Sequence, residues 1–124
     1  MTFTPSGDNN LVDIIERQTQ TFICTTDQIR PAACILWYIS GQNVTNHATP
    51  HLPQQGADKF ISSSSLVYKS RDVDHNKVIF CEAVNIERRP TIKSTEMSLN
   101  ILCKFTFLYF LWLIIDHGSI NLIE

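Results

Sequence analysis

The sequence predicts an all-β chain: two antiparallel sheets packed as a sandwich, followed by a hydrophobic C-terminal extension. Three observations lead there. Short runs alternate apolar and polar or carry β-branched and aromatic residues, with no helical stripe of apolar positions. Turn-forming clusters such as SGQN, RDVDHN and ERRP separate those runs. Two cysteines and a tryptophan, Cys24, Trp37 and Cys81, sit inside three of the apolar runs. Short strands divided by turns suit a sandwich better than a parallel α/β sheet.

Each element follows in order. Residues 1–10 contain TPSGDNN and read as a flexible lead-in. LVDII (11–15) alternates weakly, as an edge strand does. TFICTT (21–26) and ACILWYI (33–39) are strands split by DQIRP, whose Pro31 has no place in a central strand. SGQN (40–43) is a turn, and residues 46–58, with two prolines and a glycine, read as a loop or a ragged edge. SSSLVYKS (63–70) is a strand with apolar positions 66 and 68. RDVDHN (71–76) turns, KVIFCEAVN (77–85) is a strand, ERRP (87–90) turns, and MSLNILC (97–103) is the last strand.

Composition narrows the function. The 124 residues are enough for one domain of ordinary size. A hydrophobic share of 44% fits a folded domain, and a formal charge of −2 leaves no electrostatic footprint for nucleic acid. Four cysteines allow three full pairings, and no CxxC pair supports a zinc ribbon or a thioredoxin-type site. The segment MTFTPSGDNNLVDII lacks the basic and apolar regions of a signal peptide.

Strands alternate faces, so Phe22 with Cys24, Ala33 with Ile35, Trp37 and Ile39, and Ile79 with Cys81 and Ala83 form three same-side sets. If all three point into one core, Cys24 and Cys81 can meet between the sheets with Trp37 against the sulfurs. The closed loop would then contribute roughly 4 kcal/mol by chain entropy. Cys24, Trp37 in ILWYISG and Cys81 in VIFCEAVN resemble the marks of the immunoglobulin superfamily. TTDQIRPAACILWYISG and FCEAVN are similar to constant-type domains of nectin-, nephrin- and irregular-chiasm-type adhesion receptors. The resemblance covers residues 11–103 and implies an immunoglobulin-like sandwich with a Cys24–Cys81 disulfide beneath Trp37. It departs from the family at Ile79, where a tyrosine is frequent, so the hydrogen bond of a tyrosine corner is not expected there.

Within such a sandwich Cys34 faces away from the core. Cys103 lies two strands from it, about 9–10 Å, beyond the ~7 Å that a disulfide spans. Both are expected outside any second bridge. Asn43-Val44-Thr45 is an N-x-T sequon in a turn, which makes Asn43 the candidate glycosylation site. His47 and His51 are four apart, but Pro50 between them opposes a helix and no third ligand follows, so no metal is expected. Arg71, Asp72 and Asp74 read as turn residues in a solvated charge cluster. No nucleophile motif, phosphate-cradling glycine loop or paired carboxylates appear, so neither catalysis nor a cofactor is expected.

Residues 104–124 stand apart as an apolar extension outside the domain. From Phe105 to Ile115 only Thr106 is polar, yet a membrane-spanning helix needs about 20 apolar residues. The run reads as a replaced terminus in need of cover rather than a working anchor. The resemblance implies an extracellular or cell-surface module that binds other proteins, above all immunoglobulin-domain proteins, homophilically or heterophilically. Without a signal peptide, the chain is expected to be part of a longer multi-domain receptor, through which any membrane association would come. The other readings are an intracellular structural immunoglobulin repeat with reduced cysteines, and a soluble immune recognition protein.

Overall fold

The structure is a computed structural model that describes residues 1–56, 58–85 and 88–103. In chain order the strands are β1 (Thr2–Thr4), β2 (Leu11–Ile15), β3 (Thr19–Thr25) and β4 (Cys34–Ile39). Then come β5 (Gln42–Asn43), β6 (Ala48–Pro50), β7 (Gln54–Gln55) and β8 (Phe60–Ile61). The last four are β9 (Ser63–Lys69), β10 (Val78–Asn85), β11 (Arg88–Lys93) and β12 (Met97–Leu102). One sheet has the order β1-β3-β9-β6 and the other β2-β12-β10-β4-β5, with β11 also paired to β10. β7 and β8 form a separate two-stranded ribbon. The architecture is the expected immunoglobulin-like sandwich.

Period-two patterning decides which side chains fill the space between the sheets. β3 turns Phe22 and Cys24 inward, β4 Ile35 and Trp37, β10 Ile79, Cys81 and Ala83, and β12 Met97, Leu99 and Ile101. Trp37, Phe22, Ile79, Leu99, Cys24 and Cys81 are fully buried. Cys24 and Cys81 are joined as a disulfide, with Cα atoms 6.6 Å apart and 57 residues of separation. Trp37 lies directly opposite Cys81 on the neighbouring strand, so the indole covers the bridge. Its Nε1–H donates to Ser64 Oγ across the core at 2.9 Å, which satisfies the one polar atom that burial would otherwise strand.

Two segments differ from the sequence reading, and a third falls on one of its two alternatives. Thr2–Thr4 is not a loose lead-in: it pairs antiparallel with β3 and buries Phe3 against Phe22 and Trp37, with ring centroids at 5.6 and 5.9 Å. A single apolar residue between two threonines is too short a pattern to announce a strand. The chain then changes sheet, and β2 runs parallel to β12 over five residue pairs from Leu11↔Ser98 to Ile15↔Leu102. Gly7 sits in that crossover, where a Cβ would collide with the Leu11 carbonyl oxygen. The ERRP stretch is likewise no turn beyond residue 87, because Arg88 already belongs to β11 and pairs with Asn85. The segment 46–58, read as a loop or a ragged edge, contains the three-residue edge strand β6, which pairs with β9 through Ala48, Thr49 and Pro50.

Two local devices hold the large sheet in register. Ser40 and Gly41, with φ of 52° and 79°, form the two-residue connection between Ile39 and its partner Gln42. Positive φ at both central residues matches the right-handed strand twist. Between β11 and β12 the ladder breaks at residues 94–96, and Ser94 repairs it. Its N–H donates to the Cys81 carbonyl at 2.8 Å, and its Oγ accepts from the Cys81 N–H at 2.9 Å. The apolar run at 105–115 lies outside the described residues.

Candidate binding face

The same alternation that buries Trp37 and Cys81 turns Leu36 and Tyr38 of β4, and Val78, Phe80, Glu82 and Val84 of β10, to the outside. The outward apolar side chains are only half-buried, and no layer covers them among the described residues. Tyr38 and Phe80 are cross-strand partners and stack, with ring centroids 5.1 Å apart and planes at 16°. Lys93 of β11 holds its Nζ 4.2 Å above the centre of the Phe80 ring and pairs with Glu96 at 2.6 Å. Glu82 lies opposite Lys93 on β10 and β11. The result is a flat patch with aromatic rings at its centre and charges of both signs at its rim.

Of the residues singled out in the sequence, Cys24, Cys81 and Trp37 come together in the core behind this face. Asn43 comes to its front, because it is the β5 partner of Tyr38. Its side chain is exposed, and its Oδ1 accepts the Thr45 N–H at 2.9 Å. Thr45 Oγ1 in turn accepts the Trp37 N–H at 2.9 Å. Cys34 is an exposed thiol, and Cys103 is exposed and outside the disulfide. His47 and His51 lie on the surface, where His51 Nε2 meets Ser65 Oγ at 3.2 Å. Among the described residues no three metal-ligating side chains converge.

Of the turn residues read as a solvated cluster, Arg71 and Asp72 are exposed, whereas Asp74 departs from that expectation. Asp74 is buried, its Oδ2 accepting the Tyr68 hydroxyl at 2.6 Å and its Oδ1 facing Lys77 Nζ at 3.0 Å. Arg71 Nε stands 3.8 Å away. Burial pushes the Asp74 carboxyl up, but the Tyr68 hydroxyl, Lys77 and Arg71 together hold it below its usual range. Tyr68 moves the other way: burial first, then the adjoining carboxylate, raise its phenol above the ordinary tyrosine value. This contact tethers β9 to the turn before β10, at the end of the sandwich where Ile79 replaces the family's tyrosine. Tyr68 shares the inward face with Leu66, and that shared face is the sequence signal that it would find a buried partner.

Comparison with known proteins agrees with the fold. The family model of the CD80-like C2-set immunoglobulin domain matches residues 8–89. The crystal structure of Rst D1-D2 superposes with a TM-score of 0.69 at 20% identity, over 81% of this chain and 47% of that one. The full ectodomain (Ig1–Ig3) of mouse nectin-like molecule 4 superposes with a TM-score of 0.64 at 18% identity, over 74% of this chain and 31% of that one. The chain therefore spans about half the length of the first and about a third of the second, and shares their fold. No curated protein matches it in sequence.

Proposed function

The chain belongs to the CD80-like C2-set immunoglobulin domain family, and from that premise we propose that it is an extracellular protein-binding module of a cell-surface or adhesion receptor. It docks through the outer face of β4 and β10 onto an immunoglobulin-type domain, either a copy of itself or a related protein. The observation that carries this reading is the outward-facing, half-buried stripe of Leu36, Tyr38, Val78, Phe80 and Val84, which no layer covers among the described residues and which is centred on the Tyr38–Phe80 stack. Protein interfaces favour this composition: aromatic anchors in the middle, where water is excluded, and charges at the edge. The Cys24–Cys81 bridge supports an oxidising compartment, since such bonds persist outside the reducing cytosol.

Two measurements test it. Sedimentation of the chain reads the homophilic case, and binding to a panel of immunoglobulin-superfamily ectodomains reads the heterophilic one. Replacing Tyr38 or Phe80 with Ala should weaken association at least tenfold, because central aromatic anchors contribute about 2 kcal/mol or more. Urea unfolding of the same variants shows that they remain folded. Unchanged binding in folded variants would remove this face from the interface.

A further inference from the structure

We propose that Asn43 carries an N-linked glycan and that this glycan stands on the Tyr38 end of the β4–β10 face. The sequon supplies the chemistry, and the fold supplies the placement. Because the Asn43 Oδ1 is held by the Thr45 N–H, the amide presents its Nδ2 to solvent, with no partner for that atom among the described residues. Transfer requires an oligosaccharide donor linked to a lipid diphosphate. Nδ2 bonds to the sugar C1 and gives up a proton, while the C1–O bond breaks and the lipid diphosphate leaves with the electron pair. No oxidation or reduction is involved.

Timing follows from Thr45. In the folded chain Thr45 Oγ1 accepts the Trp37 N–H, Asn43 Oδ1 accepts the Thr45 N–H, and the sequon bends from β5 into a turn, so it is an extended peptide before β5 docks on β4. Attachment therefore precedes completion of this hairpin, as in a chain entering a secretory compartment. Placement follows from register. Asn43 and Tyr38 face each other as antiparallel partners. The Val44 N–H bond to the Trp37 carbonyl identifies theirs as the non-hydrogen-bonded kind of pair, in which side chains approach most closely. The glycan leaves the sheet on the side of the Tyr38–Phe80 stack and covers its β5 edge, so any partner on this face must approach from the β10 and β11 side. That last clause rests on the docking reading above, whereas the attachment and its placement do not.

The experiment uses the whole chain, secreted from eukaryotic cells behind an added leader. Intact mass and peptide mapping before and after peptide-N-glycosidase should show a glycan at Asn43 that is absent from Asn43→Gln and retained in Thr45→Ser. Secreted, folded chain with Asn43 unmodified throughout would overturn the proposal. Hydroxyl-radical footprinting then reads placement without reference to any partner. Labelling of Tyr38 should fall at least twofold in the glycosylated chain relative to Asn43→Gln, while Tyr68 in the core is unaffected. Equal Tyr38 labelling in the two forms would overturn the placement. If Tyr38 is shielded but the Tyr38 and Phe80 substitutions leave binding intact, the docking reading fails while the glycan assignment stands.

Discussion

Asp74 gathers the Tyr68 hydroxyl, Lys77 and Arg71 around one buried carboxylate. Its carboxyl is held below its unfolded value, so it adds stability above about pH 4, where the unfolded chain is also ionised. That contribution drains away as pH falls through the lower, folded value. Unfolding in urea between pH 7 and pH 2 should show the native chain losing its advantage over Asp74→Asn as acid is added. At neutral pH the variant should be less stable by about 1–3 kcal/mol, the cost of a disturbed buried hydrogen bond. A gap that stays constant with pH would mean that the Tyr68, Lys77 and Arg71 contacts do not act through the charge. Tyr68 gives the mirror image. Its raised value makes its contribution complete below about pH 10 and lost as pH climbs towards the folded value.

At the level of the elements, the hairpin from β4 to β5 depends on backbone conformation alone at Gly41. Its φ is 79°, and a side-chain carbon added there would meet nothing within 4 Å. Gly41→Ala should therefore cost about 1 kcal/mol through the left-handed backbone alone, read as a lower urea midpoint with unchanged slope. A loss of several kcal/mol would reveal a contact that the geometry does not contain. Strands such as Val78–Asn85 and Ser63–Lys69 are legible as strands from their β-branched and aromatic content between turn clusters, and their burial alternates residue by residue in the structure. β1 and the start of β11 are not legible. Phe3 is one apolar residue without a repeat, and Arg88-Arg89-Pro90 carries turn chemistry that pairing with β10 overrides. The binding face is legible only through the resemblance that turns Cys24, Trp37 and Cys81 inward, and not through the pattern. ILWYI and VIFC are apolar at every position, so pattern alone does not tell the inward Trp37 and Ile79 from the outward Tyr38 and Phe80. Burial of Asp74 escapes the sequence because a turn rich in charge looks solvated until Tyr68 is seen to reach it.

The whole molecule is stapled near its middle by the Cys24–Cys81 bond. Closing 57 residues restricts the unfolded chain, and the entropy of loop closure assigns this about 4 kcal/mol. Small domains have a total stability of about 5–15 kcal/mol. Replacing both cysteines with Ala should thus lower the unfolding free energy by roughly 2–5 kcal/mol. Circular dichroism through a urea titration measures it, and a double variant as stable as the parent would show that packing around Trp37 suffices without the bond.

The parallel run of β2 beside β12 gives the sandwich a mechanical direction. Tension applied at the two ends of residues 11–103 pulls these neighbours lengthwise past each other, since the chain enters β2 beside Ser98 and leaves β12 beside Ile15. In that geometry the ladder yields in shear, all five pairs together, rather than unzipping one after another. Pulling single molecules from these ends should meet a higher peak force than pulling across β3 and β9. Any longer protein pulled through the two ends of this domain would inherit that toughness along the axis on which it is tugged.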